Sequence, residues 1–189
     1  MKRTRSTNSR DLVLDAAEAV AHERGVPGLT LDAVAARAGV SKGGLLYHFP
    51  TKEALIQSMV ARIAYLAKEH FKEELASEPP GPGRHAHCFL RLLLDSKSRF
   101  FPRLKHMATP LLVAVAESPE LLDPMRRFFR EIRQGMVEDG LAPERAWLIM
   151  AAVDGIKFWR ILRIMEPSGR DLKKIRILLE KLINDEIPA

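Results

Sequence analysis

Two short stretches of the 189-residue chain gather groups able to do chemistry. The first is Arg84-His85-Ala86-His87-Cys88, where two imidazoles and a thiol stand close together. Imidazole and thiolate are ordinary zinc ligands, but a zinc site needs three or four of them converging. On a helix His85 and His87 point away from each other and only His85 and Cys88 share a face. That supplies two ligands, so no metal and no cofactor is expected. The second stretch, Ser41-Lys42-Gly43-Gly44-Leu45-Leu46-Tyr47-His48-Phe49, joins a hydroxyl, an ammonium, a phenol and an imidazole to two adjacent glycines. Glycine inside a helix costs about 1 kcal/mol relative to alanine. The cost is lower in a first turn, whose amides have no intrahelical partner. With Ser41 as N-cap, Lys42, Gly43 and Gly44 fill that turn. Stripped of side chains, it can bring free amides and the positive end of the helix dipole close to an anion such as phosphate. Lys42 is the one long donor in the turn and suits a guanine edge. The other use for such glycines is tight packing of this helix on the first one. Signatures of the HExxH, GxGxxG and GxxxxGK types are absent from the sequence, which points away from an enzyme.

The elements that must position these residues are helical throughout. No segment sustains apolar/polar alternation between hairpin turns, so the fold class is all-α. Val13, Ala17 and Val20 mark a first helix over about 9–24, with Gly25 as its stop. Thr30 is placed to cap a short second helix whose inner face is Leu31, Val34, Ala35 and Ala38. Gly39 turns the chain, Val40 plugs the turn, and Ser41 caps the third helix, which turns Leu45 and Phe49 inward. Pro50 ends it. Thr51 caps a long fourth helix through Leu55, Met59, Ile63, Leu66 and Phe71, which stops before the Pro/Gly-rich loop at 77–83. Further helices are expected over 84–101, 103–116, a proline-interrupted 119–138, 143–165 and 171–186. Arg126, Arg130 and Arg133 read as a solvated stripe.

Composition sets the outer bounds. The 47% hydrophobic fraction is enough for a sizeable core, and a single cysteine excludes an intramolecular disulfide framework. No apolar run is long enough to span a bilayer, and the basic start MKRTRSTNSR is not followed by a secretory apolar stretch. A cytoplasmic location is expected. The net charge of +6 favours an anionic partner. Lys2, Arg3, Arg5 and Arg10 could form a basic arm reaching phosphates or a minor groove, although on this feature alone a solvated, disordered terminus is the preferred account.

Residues 30–49 form the helix-turn-helix pattern, in which the first helix crosses the DNA backbone and the second enters the major groove. The segment "LTLDAVAARAGVSKGGLLYHFPTKEALI" closely resembles the DNA-binding segment of the TetR family, the tetracycline-repressor-type bacterial regulators. The likeness extends over about residues 9–60 and rests on AxxAGVS, the YHF-like triplet and the following TKEAL. Its one departure is Leu46, where such proteins commonly carry an aromatic. The resemblance implies phosphate contacts at Thr30, Ser41, Tyr47, His48 and Lys52, beside Lys42, Gly43 and Gly44 in the amide-rich turn. It also implies a regulator of transcription, more often a repressor, that leaves its operator when a small-molecule inducer binds.

A DNA-binding module spanning 1–56 would then precede a ligand-binding and dimerisation domain spanning 57–189. A single small module buries too little surface for tight specific binding, so a homodimer on a palindromic operator is expected. Trp147, Met150, Asp154, Phe158 and Leu162 approximate one face of the penultimate helix; Leu178 and Leu182 lie on the last. Together they are dimer-interface candidates for a four-helix bundle. Phe89, Leu93, Phe101, Met107, Phe128, Phe129 and Met136 are candidates to line an inducer pocket, although such stripes also fill ordinary cores. The rival to the whole reading is a helical interaction protein that keeps the fold without binding DNA.

Overall fold

The computed structural model describes residues 9–94 and 118–186, together with 108, 112 and 114–116, apart from the side chains of 26 and 92–94. Among them are eight α-helices, one short 3-10 turn and no strand: α1 (Ser9–Gly28), α2 (Leu31–Ala38), α3 (Lys42–His48), α4 (Lys52–Ser77), α5 (Arg84–Leu94), the 3-10 turn (Pro119–Leu122), α6 (Asp123–Glu138), α7 (Pro143–Ile161) and α8 (Gly169–Ile183). The helix expected over 103–116 falls almost wholly outside the described residues. None of the described helices is long and apolar enough to cross a membrane.

Most boundaries follow from local chemistry. Gly25 takes φ 66°, ψ −170°, so the helical run of α1 is broken there although it resumes to Gly28. Thr30 caps α2 by accepting from the Ala33 amide at 3.1 Å. Gly39 ends α2 in the left-handed region (φ 68°), and the Val40 amide donates back to the Ala35 carbonyl at 3.1 Å. That pattern satisfies the orphan carbonyls of the last turn. Thr51 caps α4 through the Ala54 amide at 3.1 Å. α7 stops at Ile161, short of the expected 165, because the chain turns at Leu162 and Arg163 adopts φ 55°.

The described residues gather into two compact units that divide within α4, between Ala64 and Tyr65; those among 108–125 belong with the first unit. In the first, Val13, Ala17 and Val20 of α1, Val34 of α2, Leu45 and Phe49 at α3, and Leu55, Met59 and Ile63 of α4 are buried. Arg62 ties α4 to α1, reaching Asp15 at 2.7 Å and Glu18 at 2.6 Å. Burial opposes its charge, but the two carboxylates outweigh that and its pKa lies above the ordinary arginine value.

The second unit has one core. Phe71 of α4, Ala86, Cys88, Phe89 and Leu90 of α5, Ile132 and Met136 of α6, Ile149, Val153 and Ile156 of α7, and Leu179 and Ile183 of α8 are buried together. Met150 is buried with them. It therefore faces the core of its own unit and not the exposed side expected to meet a partner, because the inward register of α7 runs Ala146, Ile149/Met150, Val153, Ile156/Lys157. α5 and α6 approach so closely that a methyl group on Gly135 would lie 2.4 Å from the His85 ring.

Candidate nucleic-acid interface

The turn at the start of α3 is open to solvent. Ser41, Lys42, Gly43 and Gly44 are all exposed, while Leu45 and Phe49 are fully buried on the opposite side. The Ser41 hydroxyl accepts from the Gly44 amide at 3.0 Å, which caps the helix. A methyl group built on Gly43 would meet nothing within 4 Å among the described residues. On Gly44 it would meet only the Ser41 hydroxyl oxygen, at 3.3 Å, and Val40 at 4.0 Å. Glycine is thus not demanded here by packing of α3 against α1. Among the described residues nothing crowds the front of the turn.

Tyr47 stands three and four residues beyond these glycines, on the same outward face, and is 85% exposed. Its ring packs edge-on against His48, with centroids 5.1 Å apart. His48 is half-buried, and its Nε2 lies 2.7 Å from the Ser9 hydroxyl at the start of α1. Arg10 stacks over the Phe49 ring at 5.3 Å and donates to the Ser58 hydroxyl at 3.3 Å. The first described residues are therefore fastened beside α3; Lys2, Arg3 and Arg5 precede them, outside the described residues. Lys52 is half-buried in the first turn of α4, and Thr30 is exposed at the start of α2. In the capping geometry of Thr30, Ser41 and Thr51 each hydroxyl oxygen accepts an amide, which leaves its hydrogen available as a donor.

Sequence spacing did not disclose three contacts of this region. Lys42 Nζ is held by both oxygens of Asp32, at 2.9 and 3.2 Å. Arg37 makes a two-bonded pair with Glu23, at 2.8 and 2.9 Å. Ser9 meets His48 across 39 residues. Each partner sits on a different helix, so helical periodicity carries no trace of them.

The other described candidates fall in the second unit. Phe89 and Met136 are buried in its core, and the half-buried Phe128 and Phe129 pack against it. Phe128 makes an edge-on contact with Phe71 at 6.3 Å. Phe101, Met107 and the side chain of Leu93 lie outside the described residues. Trp147, Phe158, Leu162 and Leu178 are exposed, together with Leu148, Trp159, Ile164, Met165 and Ile177, whereas Leu182 is half-buried. Asp154 is half-buried and pairs at 2.6 Å with Lys157, the one charged side chain buried among the described residues.

The Arg84–Cys88 stretch has a structural occupation. Asp139 accepts from the His85 amide at 2.6 Å and lies 2.8 Å from its Nδ1, fixing the start of α5. Cys88 is fully buried, and burial pushes its thiol up to about 12. Among the described residues no three His, Cys, Asp or Glu side chains converge as they would around a metal.

Known proteins resemble this architecture at three levels. Residues 13–59 match the family model described as bacterial regulatory proteins, tetR family. Residues 83–184 match that of the tetracyclin repressor-like C-terminal domain. The chain is 34% identical over 84 residues to the HTH-type transcriptional repressor BepR of Brucella suis, covering 43% of this chain and 40% of BepR's length. It is 28% identical over 181 residues to the HTH-type transcriptional regulator TtgR of Pseudomonas putida, 87% of this chain and 84% of TtgR. A crystal structure of the multidrug binding protein EbrR complexed with malachite green superposes with a TM-score of 0.66 at 25% identity, over 92% of this chain and 97% of that one.

Proposed function

Because the chain belongs to the TetR family of bacterial regulatory proteins, we propose that it is a sequence-specific transcriptional regulator, a repressor that sits on duplex DNA and is released by a small molecule. The observation that carries this reading is the bare turn of α3: exposed, capped, and with no described residue within 4 Å of a methyl group on Gly43. A major groove admits one helix. A first turn without side chains lets the backbone come close enough for its free amides to meet phosphate. In this reading Lys42 donates to a guanine edge, while Thr30, Ser41, Tyr47, His48 and Lys52 hold phosphates on either side. Residues 1–56 serve as the reading head, and 57–189 carry the ligand and dimer contacts.

Two heads are needed for tight binding, and the chain works as a homodimer on a palindromic operator in the cytoplasm. Trp147, Phe158, Leu162 and Leu178 supply the partner-facing surface; their exposure in the single chain supports this. The inducer is a lipophilic organic molecule bordered by Phe89, Phe128, Phe129 and Met136. The malachite green complex of EbrR supports an aromatic body for it. Such a molecule lowers DNA affinity only by its preference for the conformation that DNA does not favour.

Selection of bound duplexes from a random pool tests the reading. The expected product is an inverted repeat whose half-sites are spaced by about 10 base pairs or a multiple of it. In a salt titration its log affinity falls linearly with log salt. A chain that enriches no duplex even in dilute buffer is instead the helical interaction protein, and the reading fails.

A further inference from the structure

We propose that Asp32 is a positioning residue for base choice: it holds the Lys42 ammonium at the mouth of the α2–α3 turn, aimed at a base edge and kept from straying to phosphates. This rests on the DNA reading above. The observation is the pair itself. Both carboxylate oxygens of Asp32, in the first turn of α2, lie on Lys42 Nζ in the first turn of α3. Both side chains are well exposed, Lys42 at 60% and Asp32 at 72%. An exposed pair of this kind contributes little to stability. It does decide where the ammonium spends its time.

Lysine is otherwise a poor reader of sequence. Its charge sits on a four-carbon stem with free rotation, and it takes whichever anion is nearest. On DNA the nearest anions are phosphates, which are identical at every step. Asp32 alters this in two ways. The carboxylate occupies part of the ammonium's capacity and leaves a remaining N–H for an outside acceptor. While paired, the ammonium also carries little net charge toward a phosphate, whereas its remaining N–H still suits a neutral guanine edge. Restraint before binding reduces the ordering cost at the correct site. On the wrong sequence the same restraint denies Lys42 a compensating phosphate contact.

The test titrates the selected duplex and a random-sequence duplex of equal length with five full-length chains. These are the wild type, Asp32→Asn, Asp32→Glu, Lys42→Ala, and the Asp32→Asn/Lys42→Ala double variant. Asp32→Asn is expected to raise random-duplex affinity about tenfold at 0.1 M salt, the effect of one more neutralised phosphate, and to steepen its salt slope by about one. Affinity for the selected duplex should stay level or fall, so the specificity ratio drops about tenfold. Asp32→Glu should restore the ratio. In the Lys42→Ala background Asp32→Asn should leave it unchanged, and thermal melts of all five chains would register any loss of fold. Equal shifts on both duplexes, or a ratio change that survives in Lys42→Ala, would overturn the proposal while leaving the DNA reading intact. A wild-type chain that binds neither duplex would overturn the DNA reading first.

Discussion

At the scale of single residues, the structure separates groups that serve the fold from groups that only face outward. Gly43 is the clearest of the second kind, since a methyl group there would touch none of the described residues. Alanine at this position should therefore stabilise the free chain by up to about 1 kcal/mol, because it costs less backbone entropy in a helix. The same methyl group should cut duplex affinity by about tenfold, the loss of one well-made contact. A melt and a binding titration that move in opposite directions establish the point; parallel changes would refute it. Cys88 is of the first kind. Its thiol is raised from its ordinary value of 9.0 to about 12 by burial. The stability this represents is whole below pH 9 and declines as the pH climbs toward 12, because the unfolded chain loses the proton first. Denaturant melts over that range should show a downward slope that Cys88→Ala flattens. Near neutral pH a thiol reagent should label the native chain far more slowly than the unfolded one.

At the scale of elements, caps and turns were legible because their causes are local. Thr30, Ser41, Thr51 and Gly39 each do what their side chain, or its absence, dictates within four residues. The break at Gly25 and the early end of α7 at Ile161 depend on left-handed backbone, which glycine advertises at the first site and Arg163 conceals at the second. Pairs between helices were not legible. Nothing in the spacing marks Arg62 for Asp15 and Glu18, or Lys42 for Asp32, because long side chains choose partners only after packing sets the register. The approach of α5 to α6 belongs here too. His85 is held by Asp139 and lies 6.0 Å from the Phe71 ring, so it cannot simply swing aside for a methyl group on Gly135. Gly135→Ala should destabilise by about 1–3 kcal/mol despite its better helix propensity. His85→Ala should remove most of that penalty in the double variant, and a coupling near zero would refute the account.

For the whole molecule, the informative surface is the large apolar set left uncovered on α7, α8 and the link between them. Periodicity found the described helices but grouped the buried Met150 with an outward set, because α7 carries apolar side chains on its exposed side as well (Trp147, Leu148, Phe158) and spacing alone does not reveal which side meets its own core. The exposed members decide the experiment. Leu178 is 54% exposed, so Leu178→Glu should leave the protomer folded and convert a two-chain species into a one-chain species in sedimentation. It should also abolish tight binding to the duplex recovered by selection. A variant that still sediments as the pair would refute the assignment. A reader that covers this face only by meeting a copy of itself counts its own molecules. When the chain is scarce, occupied sites should rise with the square of its abundance, so the control stays silent until synthesis passes a threshold and then sets in steeply.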